Sequence, residues 1–218
     1  MEQKKAPKGE IKYKVTLNEE QKLVKSLAYN NQVVIVTGFA GSGKSLVCAQ
    51  IALDLLFTKQ IEDIYITRSL IEVGKTMGYL PGGLNEKLDP YIEAFRDNLY
   101  KCYDKVKIDE LIKDEKIKNL PINFIRGKTV DSLLVVEEAA NLTKHEMLAI
   151  LTRLGKNGRI IINGDSNQQD IMIGNNEENG LKYAISLSKR IDKIKYVKLK
   201  ENHRSGLVQE ILDLEYNK

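Results

Sequence analysis

The sequence predicts an α/β fold: a three-layer arrangement with a mostly parallel central sheet and helices on both of its faces. Three observations carry this. Residues 32–37, 133–136 and 160–162 are short, almost wholly apolar runs rich in β-branched residues, the mark of strands buried on both faces. Stretches with apolar residues at helical spacing lie between them, and alternation of strand and helix is what builds a parallel sheet. Each of the three runs ends in glycine or in polar and acidic residues, at the sheet edge where open α/β folds bind ligands.

Along the chain, Leu17-Asn18-Glu19-Glu20-Gln21 opens a helix, with Asn18 as N-cap and Gln21 in capping-box register. Leu23, Val24, Leu27 and Ala28 form its apolar stripe. The 32–37 strand leads into Gly38-Phe39-Ala40-Gly41-Ser42-Gly43-Lys44-Ser45, which reads G-x-x-x-x-G-K-S. Leu46, Val47, Ala49, Ile51, Ala52, Leu55 and Leu56 then continue as a helix. Strand, glycine loop and helix in direct succession are the context a phosphate-binding P-loop needs. Glycines let the backbone curl its N–H groups inward, and the helix N-terminus adds unpaired donors and a positive dipole end. Lys44 then reaches the β- and γ-phosphates of a nucleoside triphosphate, and the Ser45 hydroxyl ligates Mg²⁺.

Residues 61–67 read as the next strand, leading into Arg68, and 74–90 as a Gly- and Pro-rich loop. Residues 91–118 read as helical and heavily charged, with Ile92, Phe95, Leu99, Leu111 and Ile112 inward. Residues 121–125 read as a short strand and 126–129 as a basic turn. Helices follow over the segment holding Met147 to Leu154 and over 181–187. An alternating edge strand follows at 194–199. A closing helix at 205–216 has Leu207, Val208, Ile211 and Leu212 inward.

The run at 133–136 ends in Glu137-Glu138. A carboxylate at that position helps hold Mg²⁺, and its neighbour is placed to orient or activate a water; as bare residues, two such acids could equally be solvated caps. Gln168, in the Gly164-Asp165-Ser166-Asn167-Gln168 turn, is placed to donate to a γ-phosphate oxygen or the attacking water. Arg204, just before the last helix, is a candidate arginine finger. His145 and His203 have no partners at metal-ligand spacing.

The 218 residues suffice for one sizeable domain, with residues 1–16 as an N-terminal tail and 17–218 as the domain proper. Hydrophobic residues at 42% and charged residues at 29% are ordinary for a globular protein, and a net charge of +4 permits a nucleic-acid partner without demanding one. Cys48 and Cys102 are too far apart for a redox or metal motif, which fits a reducing cytoplasm, and Cys48 is expected buried. No apolar run reaches membrane-spanning length, and residues 1–8 are polar, unlike a secretory leader.

These segments together resemble a known family, the PhoH-like ATPases, single RecA-type domains related to superfamily 1 helicases. The resemblance covers residues 17–216 and rests on an ordered set. It comprises the 38–45 loop; Thr67-Arg68-Ser69 followed by Gly74-Lys75-Thr76-Met77-Gly78-Tyr79-Leu80-Pro81-Gly82; Lys87-Leu88-Asp89-Pro90-Tyr91; Phe124 to Thr129; Glu137-Glu138-Ala139-Ala140-Asn141; Leu151-Thr152-Arg153-Leu154-Gly155; and Gly164 to Asp170. It implies that ATP and Mg²⁺ are the ligands. Gln21, which its spacing reads as a cap, matches the adenine-contacting glutamine. Gln168 matches the motif III γ-phosphate sensor, and Asn202-His203-Arg204-Ser205 the N-Y-R-S motif whose Arg contacts the γ-phosphate. It also implies hydrolysis coupled to RNA or DNA, helicase activity, and a hexameric ring that completes the site between subunits. Arg68, Arg126 and Lys128, following predicted strands, are candidates for nucleic-acid phosphates. This chain departs from the family at Glu137, where the family has Asp; at Ala140, where it has Gln; at Ser69, for Pro; and at Lys75, for Glu. Glu137 and Ala140 motivate an alternative, an ATP-binding switch or scaffold with weak turnover. A small-molecule kinase fits less well, because the 164–168 and 202–205 segments resemble helicase motifs.

Overall fold

The computed structural model describes residues 11–69, 84–165 and 179–201 and positions 206, 207, 210 and 214, with the backbone alone for 84–92. The chain runs α1 (Glu19–Asn30), β1 (Val33–Gly38), α2 (Lys44–Phe57), β2 (Ile64–Arg68), α3 (Leu84–Cys102), α4 (Lys105–Lys113), β3 (Ile117–Asn119), a 3₁₀ turn (Ile122–Gly127), β4 (Leu133–Glu137), a second 3₁₀ turn (Ala139–Asn141), α5 (Lys144–Leu151), β5 (Arg159–Gly164), α6 (Gly180–Ser188) and β6 (Ile194–Leu199). The six strands form one sheet in the order β3-β2-β4-β5-β1-β6. Every pairing between them is parallel.

Alternate residues of each strand face opposite ways, and the core divides accordingly. Val34, Val36, Ile64, Ile66, Leu133, Val135 and Ile161 pack under α1–α4, against Val47, Ile51, Leu55, Phe95, Leu99 and Ile108. Val33, Ile35, Leu134, Val136, Ile160 and Ile162 pack on the other face against Met147 and Ile150 of α5 and Leu181 of α6. That is the three-layer fold expected. Helix α2 buries Val47, Cys48, Ala49, Ile51, Ala52 and Leu55 and half-buries Leu46 and Leu56; α5 ends at Leu151, before Leu154, and buries Met147 and Ile150 while Leu148, expected in the same stripe, is 43% exposed. Helix α1 begins with the predicted capping box at Asn18 and Gln21.

Five further readings need correction. The 91–118 helix is two helices and a strand. Glu115, at φ 53°, takes the left-handed conformation just after α4, and β3 then pairs with β2 in the register Ile64↔Ile117. Second, the expected strand at 121–125 is a 3₁₀ turn. The Leu120 amide makes the last ladder bond, to Ile66 O at 2.8 Å. Pro121 has no N–H with which to continue. Third, the 74–90 loop is helical from Leu84, so Pro90 stands inside α3. Fourth, Leu207, expected inward, is 67% exposed, and fifth, Leu23 of the α1 stripe is 52% exposed. Val208, Ile211 and Leu212 lie outside the residues whose side chains are described.

Tyr13 and Lys14 pack on the domain: the Lys14 amide donates to Cys102 O at 2.9 Å, and the Tyr13 hydroxyl donates to Asp54.

Candidate functional site

The C-terminal ends of β1, β4 and β5 converge on the head of α2. Gly43 caps that helix at φ 80°, a left-handed conformation that a side chain would oppose. Gly38 leaves the strand where a Cβ would stand 2.5 Å from Ser42 Oγ and 2.8 Å from Leu199 O, so the loop folds closely only around a glycine. The first-turn amides of α2 therefore open onto a cavity of about 380 Å³, lined by Ala40, Gly41, Gly43, Lys44, Ser45, Leu46, Asn98, Lys101, Glu138, Asn163 and Asp165. Its amide-rich floor is suited to an anion.

Lys44 folds back on its own loop, donating to Gly38 O at 2.8 Å and Phe39 O at 2.9 Å. Burial lowers the pKa of its ammonium, while Asp165, Glu138 and Glu137 push it back up. A cation held, among the described residues, by two carbonyls and standing beside three acids is suited to turn to a phosphate.

Ser45, Glu137 and Asn163 form a triangle across three elements. Ser45 Oγ donates to Glu137 Oε2 at 2.8 Å, and Asn163 Nδ2 donates to Glu137 Oε1 at 2.6 Å and to Ser45 Oγ at 3.1 Å. Glu137 is 8% exposed. Burial raises its pKa to about 7 and the charge of Glu138 adds to that, while its hydrogen bonds and the nearby Arg68 work against the rise. Register explains Arg68, since it lies opposite Glu137 on the neighbouring strand. Mg²⁺ takes hard oxygens and usually keeps waters and substrate phosphates rather than a full protein cage. The Ser45 hydroxyl and Glu137 carboxylate fit that demand. The described residues contain no group of three or more His, Cys, Asp or Glu that would chelate a metal by themselves.

Glu138 lines the cavity and leaves β4 at φ 52°, ψ 43°. Non-glycine residues hold this conformation at a cost, and such strain gathers at functional sites. Gln21 stands behind the loop, 3% exposed. Its Oε1 accepts the Asn18 amide at 3.1 Å and its Nε2 makes a long contact of 3.5 Å to Ser42 O. The capping role is thus realised, and the same amide braces the P-loop. Glu20 Oε2 accepts the Lys200 amide at 2.8 Å and the Glu201 amide at 3.3 Å, fixing the backbone that leads to residue 202. Gln168, His203 and Arg204 lie outside the described residues.

The site holds residues that sequence reasoning did not assign. Asn163 is the hub of the triangle; its one signal is a polar side chain ending an apolar run. Asp165 reaches the cavity from the same strand end. Asn98 and Lys101 come from α3, and nothing local in a charged amphipathic helix announces this. Their place follows from α3 packing on α2, where Cys102 Sγ lies 3.6 Å from Leu46 O.

A family model described as "PhoH-like protein" matches residues 13–215. A PhoH-like protein of Mycobacterium tuberculosis is 37% identical over 186 residues, covering 84% of this chain and 52% of that protein. One from Synechocystis is 31% identical over 212 residues, covering 96% of this chain and 63% of that protein. Protein PhoH2 of Bacillus subtilis is 34% identical over 207 residues, covering 90% and 46%. The chain thus spans roughly half to two thirds of the length of these relatives. Among solved structures, the Pif1 helicase of Candida albicans shares the fold at a TM-score of 0.53 and 18% identity, over 93% of this chain and 44% of that one. The large terminase of a thermophilic bacteriophage does so at 0.52 and 13%, over 93% and 51%. No helix among the described residues is long and apolar enough to cross a membrane.

Proposed function

The chain belongs to the PhoH-like family, and from that premise we propose that it binds Mg²⁺·ATP on the 38–45 loop and hydrolyses it, coupling the cycle to single-stranded RNA or DNA. The observation that best supports this is the Ser45–Glu137–Asn163 triangle at the head of α2, with Lys44 beside it. In this reading the loop amides and Lys44 bind the triphosphate, Lys44 leaving the Gly38 and Phe39 carbonyls for phosphate oxygens. Ser45 and Glu137 hold Mg²⁺, and Asn163 keeps the two in register. Mg²⁺, when bound, neutralises charge on the β- and γ-oxygens. Glu138 orients the attacking water and takes its proton. Gln168 and Arg204, by their match to the family motifs, are assigned to the γ-phosphate. A ring of subunits, six by the same resemblance, completes a site that one RecA-type domain leaves open.

One observation favours a second reading, a nucleotide-binding switch with weak turnover. The longer acid at position 137 already bonds Ser45 directly, across the position a cation would take. Steady-state ATPase rates with and without single-stranded RNA and DNA, on wild type and Lys44→Ala, decide between them. The ATPase reading expects Mg²⁺-dependent turnover, stimulated by nucleic acid and lost with tight ATP binding in Lys44→Ala, whose fold stays intact. ATP binding without turnover supports the switch, and unchanged ATP binding by Lys44→Ala removes the site assignment.

A further inference from the structure

The segment after β4 starts at Glu138 in the left-handed conformation and is then buried from Ala139 to Leu142. Buried carbonyls need donors, and each one here has its own. Glu138 O accepts the Asn141 amide at 3.0 Å and Ala139 O the Leu142 amide at 3.3 Å, both within the segment. The next three donors come from elsewhere. Ala140 O accepts Asn179 Nδ2 at 2.7 Å, Asn141 O accepts Ser69 Oγ at 3.1 Å, and Leu142 O accepts the Gly180 amide at 2.7 Å.

Two distant elements therefore grip this segment. Ser69 follows β2, whose last residue, Arg68, lies opposite Glu137. Asn179 and Gly180 open α6, and Thr143 bridges to Asn179 just beyond the segment. The Asn179 side chain is buried and has two tasks: its Oδ1 caps α6 by accepting the Lys182 amide at 3.0 Å, while its Nδ2 ties Ala140. Ser69 is buried as well. Neither Asn179 nor Ser69 lines the nucleotide cavity, whereas Glu138 does.

We propose that Asn179 and Ser69 are positioning residues for hydrolysis: they hold the strained turn at Glu138 and so set where its carboxylate meets the attacking water. A non-glycine residue keeps a left-handed conformation only where its surroundings over-determine it. The two bonds inside the segment shape the turn, but the ties from Asn179, Ser69 and Gly180 fix that turn against the rest of the fold. Release of a tie lets the backbone at Glu138 relax, which swings its Cα–Cβ bond, and a misplacement of about 1 Å at a reacting centre costs about 100-fold in rate.

The inference rests on the reading of Glu138 as the water-orienting acid, and the test separates the two. Single-turnover hydrolysis at saturating ATP is measured beside equilibrium ATP binding and the melting temperature. Asn179→Asp keeps an oxygen to cap α6 but turns an acceptor, not a donor, toward Ala140 O. Its hydrolysis rate is expected to fall about 30-fold and that of Ser69→Ala about fivefold. ATP affinity stays within about twofold, and the melting temperature falls by no more than about 4 °C. The deciding measurement repeats Asn179→Asp in a Glu138→Gln background, where a residue that acts through Glu138 should cost less than about twofold more. Wild type without turnover, or Glu138→Gln at full rate, removes the water-orienting role and this inference with it. Wild-type rates in Asn179→Asp and Ser69→Ala beside a slow Glu138→Gln overturn the positioning role and leave the hydrolysis reading standing. An equal loss in both backgrounds, or one matched by loss of ATP affinity and melting temperature, assigns the two residues to stability alone and overturns it as well. Should Asn179→Asp fail to fold, Ser69→Ala decides by the same comparison in both backgrounds.

Discussion

Two carboxylates are buried at opposite ends of α2, and they differ in whether a cation pairs with them directly: Lys25 bonds Asp54, whereas Arg68 and Lys44 act on Glu137 through charge alone among the contacts of the described residues. Asp54, in the last turns of the helix, is 6% exposed; Glu137, facing the first turn, is 8% exposed. Asp54 accepts from the Tyr13 hydroxyl at 2.8 Å, from the Tyr29 hydroxyl and from Lys25 Nζ at 2.7 Å. One of those partners is a cation, so the acid is matched inside the fold. The tyrosine hydroxyls show the effect: burial, with Asp54 adding to it, raises both pKa values. Among the described residues Glu137 receives hydrogen bonds from a hydroxyl and an amide, and its pKa is raised to about 7. A buried acid with its own cation is a clamp. A buried acid given neutral donors holds its proton to a higher pH, and in the proposed function it gives that proton up to a cation that arrives with a ligand.

If this contrast is sound, changes at the Glu137 end alter chemistry and changes at the Asp54 end alter stability. The largest effect is expected from Glu138→Gln. The amide cannot accept the proton of the attacking water, so kcat should fall by about 10³-fold, with ATP binding and melting temperature close to wild type. Single-turnover kinetics beside equilibrium nucleotide binding measure this. Full-rate turnover would take Glu138 out of the chemistry.

Asp54→Asn should act in the opposite manner. It leaves Lys25 and two tyrosine hydroxyls around a neutral amide, at a cost of about 3 kcal/mol. For a chain of this size that lowers the melting temperature by roughly 6–12 °C, with ATP affinity held within about twofold. Lost ATP affinity at an unchanged melting temperature would dissolve the distinction between the two ends.

The pH dependence sharpens the contrast at the Glu137 end. Its carboxyl moves from an ordinary value of 4.5 to about 7 in the fold. The folded state therefore keeps a proton that the unfolded chain releases, and the metal-free protein loses stability as pH rises from 4.5 through about 7. Mg²⁺ binding runs the other way, because only the ionised acid holds the cation. Mg²⁺-dependent ATP affinity should rise about tenfold from about pH 6 to about pH 8, a proton should be released on binding in calorimetry, and Glu137→Gln should flatten the profile. A flat wild-type profile would mean that Glu137 does not hold the metal.

How much of this was legible in the sequence follows from where each signal lies. The P-loop is local: strand, glycines, Lys44, Ser45 and helix are contiguous, so every part was readable. The long buried strands were equally plain, because burial on both faces leaves an uninterrupted apolar run. The errors fall where tertiary context overrules local pattern. Strand β3 has three residues within a charged stretch, and pairing with β2 alone makes it a strand. Helix α4 is followed by Glu115 in the left-handed conformation where a glycine would have signalled an end. Pro121 stops a ladder that the apolar residues after it would otherwise continue. Asn98 and Lys101 reach the nucleotide cavity only because α3 docks on α2, and the Asp54 clamp gathers Tyr13, Lys25 and Tyr29 from two segments ahead of α2. Such relations depend on packing between distant segments, which no window of sequence contains.

The smallest effect is expected from Glu137→Asp, which restores the residue that the family pattern carries. The change withdraws the carboxylate by one methylene, about 1.5 Å, from Ser45 Oγ, now at 2.8 Å, and from Asn163 Nδ2, now at 2.6 Å. In the metal-free protein both hydrogen bonds lengthen, which weakens the triangle. With nucleotide present the same gap admits a cation or its water between hydroxyl and acid, where the longer side chain now bonds Ser45 directly. The two effects oppose each other, and the second bears on catalysis, so kcat should be equal to wild type or up to about threefold higher. The ordinary pKa of Asp lies below that of Glu, so the midpoint of the pH profile should also move downward. Steady-state rates and Mg²⁺-dependent binding across pH measure both quantities on one variant. A large loss of kcat would show that Ser45 and Asn163 have adapted to the longer acid, and that the direct Ser45–Glu137 bond is part of the working geometry and not an obstacle to the cation.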